Sequence, residues 1–369
     1  MQQPAHPVLQ VEPTDHCNLR CRMCAPHHEG WETVHGIPKG YLDPALWERV
    51  VAGLARDGQR FDHLIFQWLG DPSLHPELDR LVATAASGLG ERVGYLRVDT
   101  NGILLAGARM ERLVQAVAGT PVPLLVVITL DAASPEVYAQ VKGRDALVRV
   151  RRNVRQLLAL RRRLGARVNL QLQFVVQPGN AHELGPFLAY WRDLLACQGG
   201  ADFHDELLFK RLSVGGGAQG QAQADALYEQ ALAQADIRPG RDGPLMVQTW
   251  QDRPWQTDDG HTGARTACPG LWLTPVIRQD GHLLMCCADL HSALDLGSLA
   301  ERGFAELWQG PRATEERLKH LAGRFEGPCE GCGGINWYAT TPEMAAQARE
   351  RGGELGLSGG EATRGRDPS

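Results

Sequence analysis

Between Val8 and Leu212 a short apolar run is followed by a segment of helical period, and the runs number six. They are Val8–Thr14, His63–Leu69, Gly94–Thr100, Leu124–Asp131, Arg167–Gln177 and Asp205–Leu212. This alternation constrains the fold more than any single residue does. The runs read as strands and the intervening segments as helices. In Tyr41–Gly58, Asp43 is placed as an N-cap and Pro44 as the first helical residue. Repeated βα units imply parallel strands with right-handed crossovers. Such strands close into a partial barrel or lie as an open doubly wound sheet, and either way the ligand site lies at their C-terminal ends.

A chain of 369 residues suits a large barrel plus a smaller module. With 43% hydrophobic and 22% charged residues it reads as soluble and globular. Net charge is −5 and only four lysines occur, so there is no polybasic footprint and nucleic acid is not an expected partner. The N-terminus has no basic and apolar signal pattern, and the longest apolar run, Pro123–Leu130, is far short of a membrane span. The expected location is cytoplasmic, with no membrane partner. In that compartment clustered cysteines bind metal or do chemistry more often than they form disulfides.

Three of the nine cysteines, Cys17, Cys21 and Cys24, crowd into the CxxxCxxC spacing directly after the first strand. That spacing also fits one face of a helix. However, Thr14, Asp15, His16 and Asn18 favour turns and caps over a helix interior, and Pro26 follows. A loop wrapped around a ligand suits them better. Three thiolates can hold three irons of a cubane cluster and leave the fourth open to a small molecule. Zinc is the rival, with His16, His27 or His28 as fourth ligand.

Polar or turn residues follow the other strands: "GDP" (Gly70–Pro72) after the second, "TNG" (Thr100–Gly102) after the third, Asp131 after the fourth. Taken together with "CNLRCRMC", "WLGDPSLHPEL" and "TLDAASPEVYAQVKGRD", they resemble the radical S-adenosylmethionine (SAM) enzymes, in order over about residues 8–183. Asp71 stands where the family's Gly-Gly-Glu-Pro segment has glutamate, and Leu69 where it has the first glycine. The resemblance implies a partial (β/α)6 TIM-like barrel. It also implies a 4Fe-4S cluster on Cys17, Cys21 and Cys24 whose open iron chelates SAM. On that reading Asp71 accepts from the SAM ammonium and Lys142 pairs with the SAM carboxylate. Met23, Gly70, Asn101, Thr129 and Gln173 complete the expected SAM contacts.

Residues 213–266 are rich in glycine, glutamine and alanine, and read as a loop, a short helix and a linker, with two tryptophans, Trp250 and Trp255, near its end. Then Cys268 precedes "VIRQDGHLLMCC", a hairpin turning at Asp280-Gly281, and "PCEGC" supplies Cys329 and Cys332. Cys268, Cys286, Cys329 and Cys332 make a four-thiolate site that spacing alone leaves open to zinc or iron–sulfur, and Cys287 could substitute for Cys286. The arrangement resembles a SPASM domain shortened to the Twitch form, which implies an auxiliary 4Fe-4S cluster.

The expected organisation is therefore a core barrel over 1–212, a connector over 213–266, an auxiliary cluster domain over 267–340, and a tail over 341–369 that frays from a helix into disorder. The expected activity is SAM cleavage to a 5′-deoxyadenosyl radical, hydrogen abstraction, and oxidation of a small polar substrate, with the auxiliary cluster taking the electron. A low-potential donor such as flavodoxin or ferredoxin is implied. A peptide- or protein-modifying maturase is the second reading; the first strand begins near residue 8, with no leader-binding domain before it, which favours a small molecule. A non-catalytic zinc or iron–sulfur scaffold is the third.

Overall fold

The computed structural model describes residues 6–24, 38–196, 205–213, 218–242, 245–249, 267–330, 332, 334 and 340–357. Six strands pair in chain order, all parallel: β1 (His6–Val11), β2 (Phe61–Phe66), β3 (Val93–Thr100), β4 (Leu124–Thr129), β5 (Val168–Val176) and β6 (Asp205–Arg211). The crossovers are α1 (Pro44–Arg56), α2 (Leu78–Leu89), α3 (Gly107–Gln115), α4 (Pro135–Lys142) followed by α5 (Leu147–Leu164), and α6 (Leu184–Ala196). A doubly wound sheet reverses its strand order at a switch point. These six never reverse.

The period of two along each strand divides the residues between two environments. Leu9, Leu64, Leu96, Val126, Leu170 and Leu207 have no exposed surface and face the helices. Their neighbours Gln10, Ile65, Arg97, Leu125, Gln171 and Leu208 line a single cavity of about 760 Å³. One cavity touched by every strand from β1 to β6 means that the sheet curls, and the result is a partial barrel.

The connector is more structured than its composition suggests. It forms α7 (Ala218–Gln234), β7 (Gly240–Asp242) and β8 (Leu245–Thr249), with β8 parallel to β6 and β7 antiparallel to β8. Alanine and glutamine are good helix formers. Buried Tyr228 anchors α7 by donating from its hydroxyl to Phe209 O at 3.0 Å. Trp250 and Trp255 lie outside the described residues.

The C-terminal module holds α8 (Gly270–Leu273), β9 (Val276–Ile277), β10 (His282–Leu284), β11 (Asp295–Ser298), α9 (Phe304–Trp308), α10 (Pro311–Leu321) and α11 (Pro342–Glu354). The expected hairpin is β9–β10, turning through Gly281 at φ 82°. Its position was not legible in the sequence: β9 pairs in parallel with β1, Gln10 opposite Val276, so the module extends the barrel's own sheet. The helix expected at the start of the tail is α11, which is capped and packed rather than frayed. Thr341 Oγ1 caps it by accepting from Met344 N at 3.3 Å, and Gly352 lies so close to α10 that a Cβ would come 2.7 Å from Leu318 Cδ1. Residues 358–369 lie outside the described residues. No helix among the described residues is long and apolar enough to cross a membrane.

Candidate functional site

The cysteine loop leaves β1 and is fastened to two other strand ends and to the end of α4. Asp71 N, after β2, donates to His16 O at 2.8 Å, and Asn101 Nδ2, after β3, donates to Asn18 Oδ1 at 2.7 Å. Arg20 N and Arg22 N donate to Lys142 O and Val141 O at the end of α4, at 3.3 and 3.2 Å. Gly70 permits this approach, because a Cβ there would sit 2.3 Å from Thr14 O and 2.6 Å from His16 O. Burial pushes the thiols of Cys17 and Cys24 up to about 12 and about 11, with Asp71 adding to the first and Cys21 to the second. Burial also raises Cys21, against the pull of Lys142. These are thiols until metal displaces their protons. Three half-buried thiols on one strand-end loop are the donor set that a four-iron cluster with an open iron requires. Among the described residues no three His, Cys, Asp or Glu side chains already close on a point as a single metal ion would need.

Asp71 is differently employed from the expectation. It caps the short 3₁₀ turn Pro72–Leu74. Oδ1 accepts from Ser73 N (2.9 Å), Ser73 Oγ (2.5 Å) and Thr100 Oγ1 (2.9 Å), and Oδ2 accepts from Asn101 N (2.7 Å) and Thr100 Oγ1 (3.1 Å). A carboxylate offers about four lone-pair sites, so an ammonium from SAM has to displace a partner already present. Lys142 is likewise committed: Nζ lies 2.5 Å from Asp131 Oδ2, with both side chains buried. Burial by itself lowers the pKa of this ammonium, yet Asp131 and Cys21 bring it out above the ordinary lysine value. Asp131, at φ 60°, also accepts from Val175 N at 2.7 Å. Asn101 holds the loop as described. Gln173 faces the chamber with Nε2 donating to Gln171 Oε1 at 2.6 Å, beside its register partner Thr129, and Met23 Sδ accepts from Gln177 Nε2 at 3.7 Å.

Several residues escaped the sequence reading. Glu12, 2% exposed, accepts from Leu69 N at 3.1 Å and Gln279 N at 3.4 Å, and burial pushes it up to about 8, with Asp15 adding to the shift. Below the cysteine loop the chamber is lined by charges and amides. Arg97 and Asp99 form a bidentate pair at 2.6 and 2.6 Å, Glu206 accepts from Gln171 Nε2 at 2.5 Å, and Lys210 and Gln248 also face inward. Their signal was present as polar residues at every second position in "YLRVD" and as the charged ends of "ELLFK", four positions apart in the same alternation.

In the C-terminal module Cys268, Cys286, Cys329 and Cys332 line one small pocket together with His320. Cys287 lines the barrel chamber instead. Trp68 Nε1, beyond β2, donates to Cys287 O at 2.9 Å and fastens this segment to the barrel. The eight described cysteines form no disulfide. Four thiols around one pocket match the four ligands of a saturated cluster.

Residues 11–169 match the radical SAM superfamily, and residues 268–333 match SPASM, an iron–sulfur cluster-binding domain. The GTP 3′,8-cyclase of Stenotrophomonas maltophilia is 30% identical over 190 residues, 51% of this chain and 52% of that one, so the match spans about half the relative's length. Among solved structures, Streptococcus suis SuiB bound to S-adenosylmethionine aligns at TM-score 0.56 with 13% identity, over 85% of this chain and 68% of that one. Native anSMEcpe with bound AdoMet aligns at 0.54 with 16% identity, over 94% and 97%. At such identities these two likenesses concern the fold alone.

Proposed function

From the premise that this chain belongs to the radical SAM superfamily and carries a C-terminal SPASM domain, we propose that it oxidises a small polar molecule held in the barrel chamber. With SAM bound, a reduced four-iron cluster would supply a 5′-deoxyadenosyl radical able to take a hydrogen atom from an unactivated carbon, and an auxiliary cluster would supply the acceptor for the electron that oxidation of the substrate releases. On this reading Cys17, Cys21 and Cys24 hold the first cluster, and Cys268, Cys286, Cys329 and Cys332 the second. Met23, Gly70, Asp71, Asn101, Thr129, Lys142 and Gln173 shape the SAM site. Asp71, Asn101 and Lys142 do so by holding the cysteine loop and its neighbours in place.

The observation that carries the reading is the chamber lining. Among the described residues its cations, Arg97 and Lys210, are matched by the carboxylates Asp99 and Glu206, and the rest is largely amide, hydroxyl or apolar. Such a wall offers hydrogen bonds to a polar ligand and no surplus positive charge for a triphosphate. The GTP 3′,8-cyclase relatives are named for a nucleotide, so GTP is an informative probe. Anaerobically loaded protein is expected to cleave SAM reductively and to leave GTP unchanged. The Cys17→Ala/Cys21→Ala/Cys24→Ala variant is expected to lose about half its iron and all SAM cleavage. Cleavage retained in that variant overturns the cluster assignment. Turnover of GTP overturns the substrate class.

A further inference from the structure

Three arginines among the described residues are buried. Arg161 forms two contacts of 2.6 Å with Asp205, and Arg278 pairs with Asp280. Arg317, on α10 and 6% exposed, has no carboxylate among the described residues. Its Nε donates to Leu271 O at 3.0 Å and Nη1 to Trp308 O at 2.8 Å, while Nη2 is buried with no partner among the described residues. The guanidinium lies 4.8 Å from the Trp308 ring centre and 5.7 Å from that of Trp272. Burial pushes its pKa down to about 9, and nothing opposes the shift. Two carbonyls and two aromatic faces do not replace hydration of a buried cation, which ordinarily requires an anion nearby.

The place where an anion would sit is adjacent. Leu271, whose carbonyl receives Arg317 Nε, lines the four-cysteine pocket, and its N donates to Cys268 O at 3.4 Å. One turn further along α10, His320 lines the same pocket and its Nδ1 accepts from Cys268 N at 3.3 Å. A four-iron cluster on four thiolates is a net anion whose charge grows by one on reduction.

We infer that Arg317 is the built-in counter-cation of the auxiliary cluster, and that it raises that cluster's reduction potential by favouring the more negative, reduced state. The inference rests on the module holding an iron–sulfur cluster, and goes beyond it by assigning a second layer that tunes the cluster. A single electron enters the cluster on reduction and no proton is taken up by the arginine, which is cationic in both states. Lysine keeps the charge and methionine keeps the approximate volume without it.

The test uses the full chain with Cys17, Cys21 and Cys24 changed to alanine, so that only the auxiliary cluster is read. Iron content and the electron paramagnetic resonance spectrum come first: absence of a four-iron cluster here overturns the reading of the module itself. With the cluster present, redox titration follows for Arg317, Arg317→Lys and Arg317→Met. The midpoint potential is expected to fall in Arg317→Met and to stay near the parent value in Arg317→Lys. An unmoved potential in Arg317→Met overturns the inference. If Arg317→Met loads no cluster, the metal-free stabilities decide. A metal-free Arg317→Met protein as stable as its parent, or more so, with loading restored by lysine, supports the counter-cation. A metal-free protein destabilised by both substitutions reduces Arg317 to a packing residue and overturns it.

Discussion

Asp71 shows how a residue can be singled out by its place in the sequence while its hydrogen-bond partners stay hidden. Its position after β2 marked it for the SAM site, and the backbone does bring it beside the cysteine loop. What sequence could not show is that Ser73, Thr100 and Asn101 already occupy its oxygens. Those partners come from two strand ends far apart in sequence, and only the parallel register brings them together. The same blindness hid the pairing of Lys142 with Asp131. Asp71→Asn replaces one acceptor oxygen by an amide that meets Asn101 N or the hydroxyls. A charge-assisted bond is worth about 1.5–3 kcal/mol. The metal-free variant is therefore expected to lose roughly that much stability in a urea titration, with no SAM present. An unchanged midpoint, together with weakened SAM binding, would return Asp71 to the direct ligand role.

At the scale of elements, what was legible followed from periodicity, and what was not followed from edges. All six core strands stood out because their apolar runs face helices, and the cysteines and glycines at their ends fell where the order implied. Strand β8 escaped because five residues in a glycine- and glutamine-rich stretch give no period, and its pairing with β6 is a tertiary choice. The pairing of β9 with β1 escaped for the same reason, yet it builds the junction at which Glu12 is buried between Leu69 N and Gln279 N. A carboxyl pushed up to about 8 keeps its proton in the folded state while the unfolded chain, at an ordinary carboxylate value, has lost it. Between those two values the folded state binds one more proton. Raising pH therefore lowers stability, by at most about 1.4 kcal/mol per unit, until the slope vanishes above the folded value. Unfolding of the metal-free protein between pH 5 and about 8 should show this fall, and Glu12→Gln should flatten it. Equal slopes in the two proteins would mean that Glu12 is ionised at the junction.

Across the whole molecule the two thiol sites sit on one continuous sheet, the first above the barrel's C-terminal strand ends and the second in the module added at its β1 edge. The chamber's lining includes Gln173, one of the expected SAM contacts, and Cys287, next in sequence to the second site's Cys286. On the proposed reaction hydrogen abstraction and electron removal are separable, because the first would need only the three-thiol site and SAM, whereas the second would need an acceptor. A Cys329→Ala/Cys332→Ala variant should retain the first cluster and go on releasing 5′-deoxyadenosine while forming little oxidised product. Because α8, α10 and the segment that follows β10 all line the thiol pocket, some loss of stability accompanies the change. Circular dichroism must therefore show a folded chain before product is counted. Small polar candidates carrying deuterium at the reacting carbon provide the readout, with label arriving in 5′-deoxyadenosine as evidence of abstraction. If the folded variant transfers label and still makes oxidised product at the parent rate, the second cluster is a structural element and the electron leaves by another route. If label transfer stops while the first cluster stays loaded, the module acts on substrate binding rather than on the electron. Label transferred with product lost is the outcome that the separation of the two sites predicts.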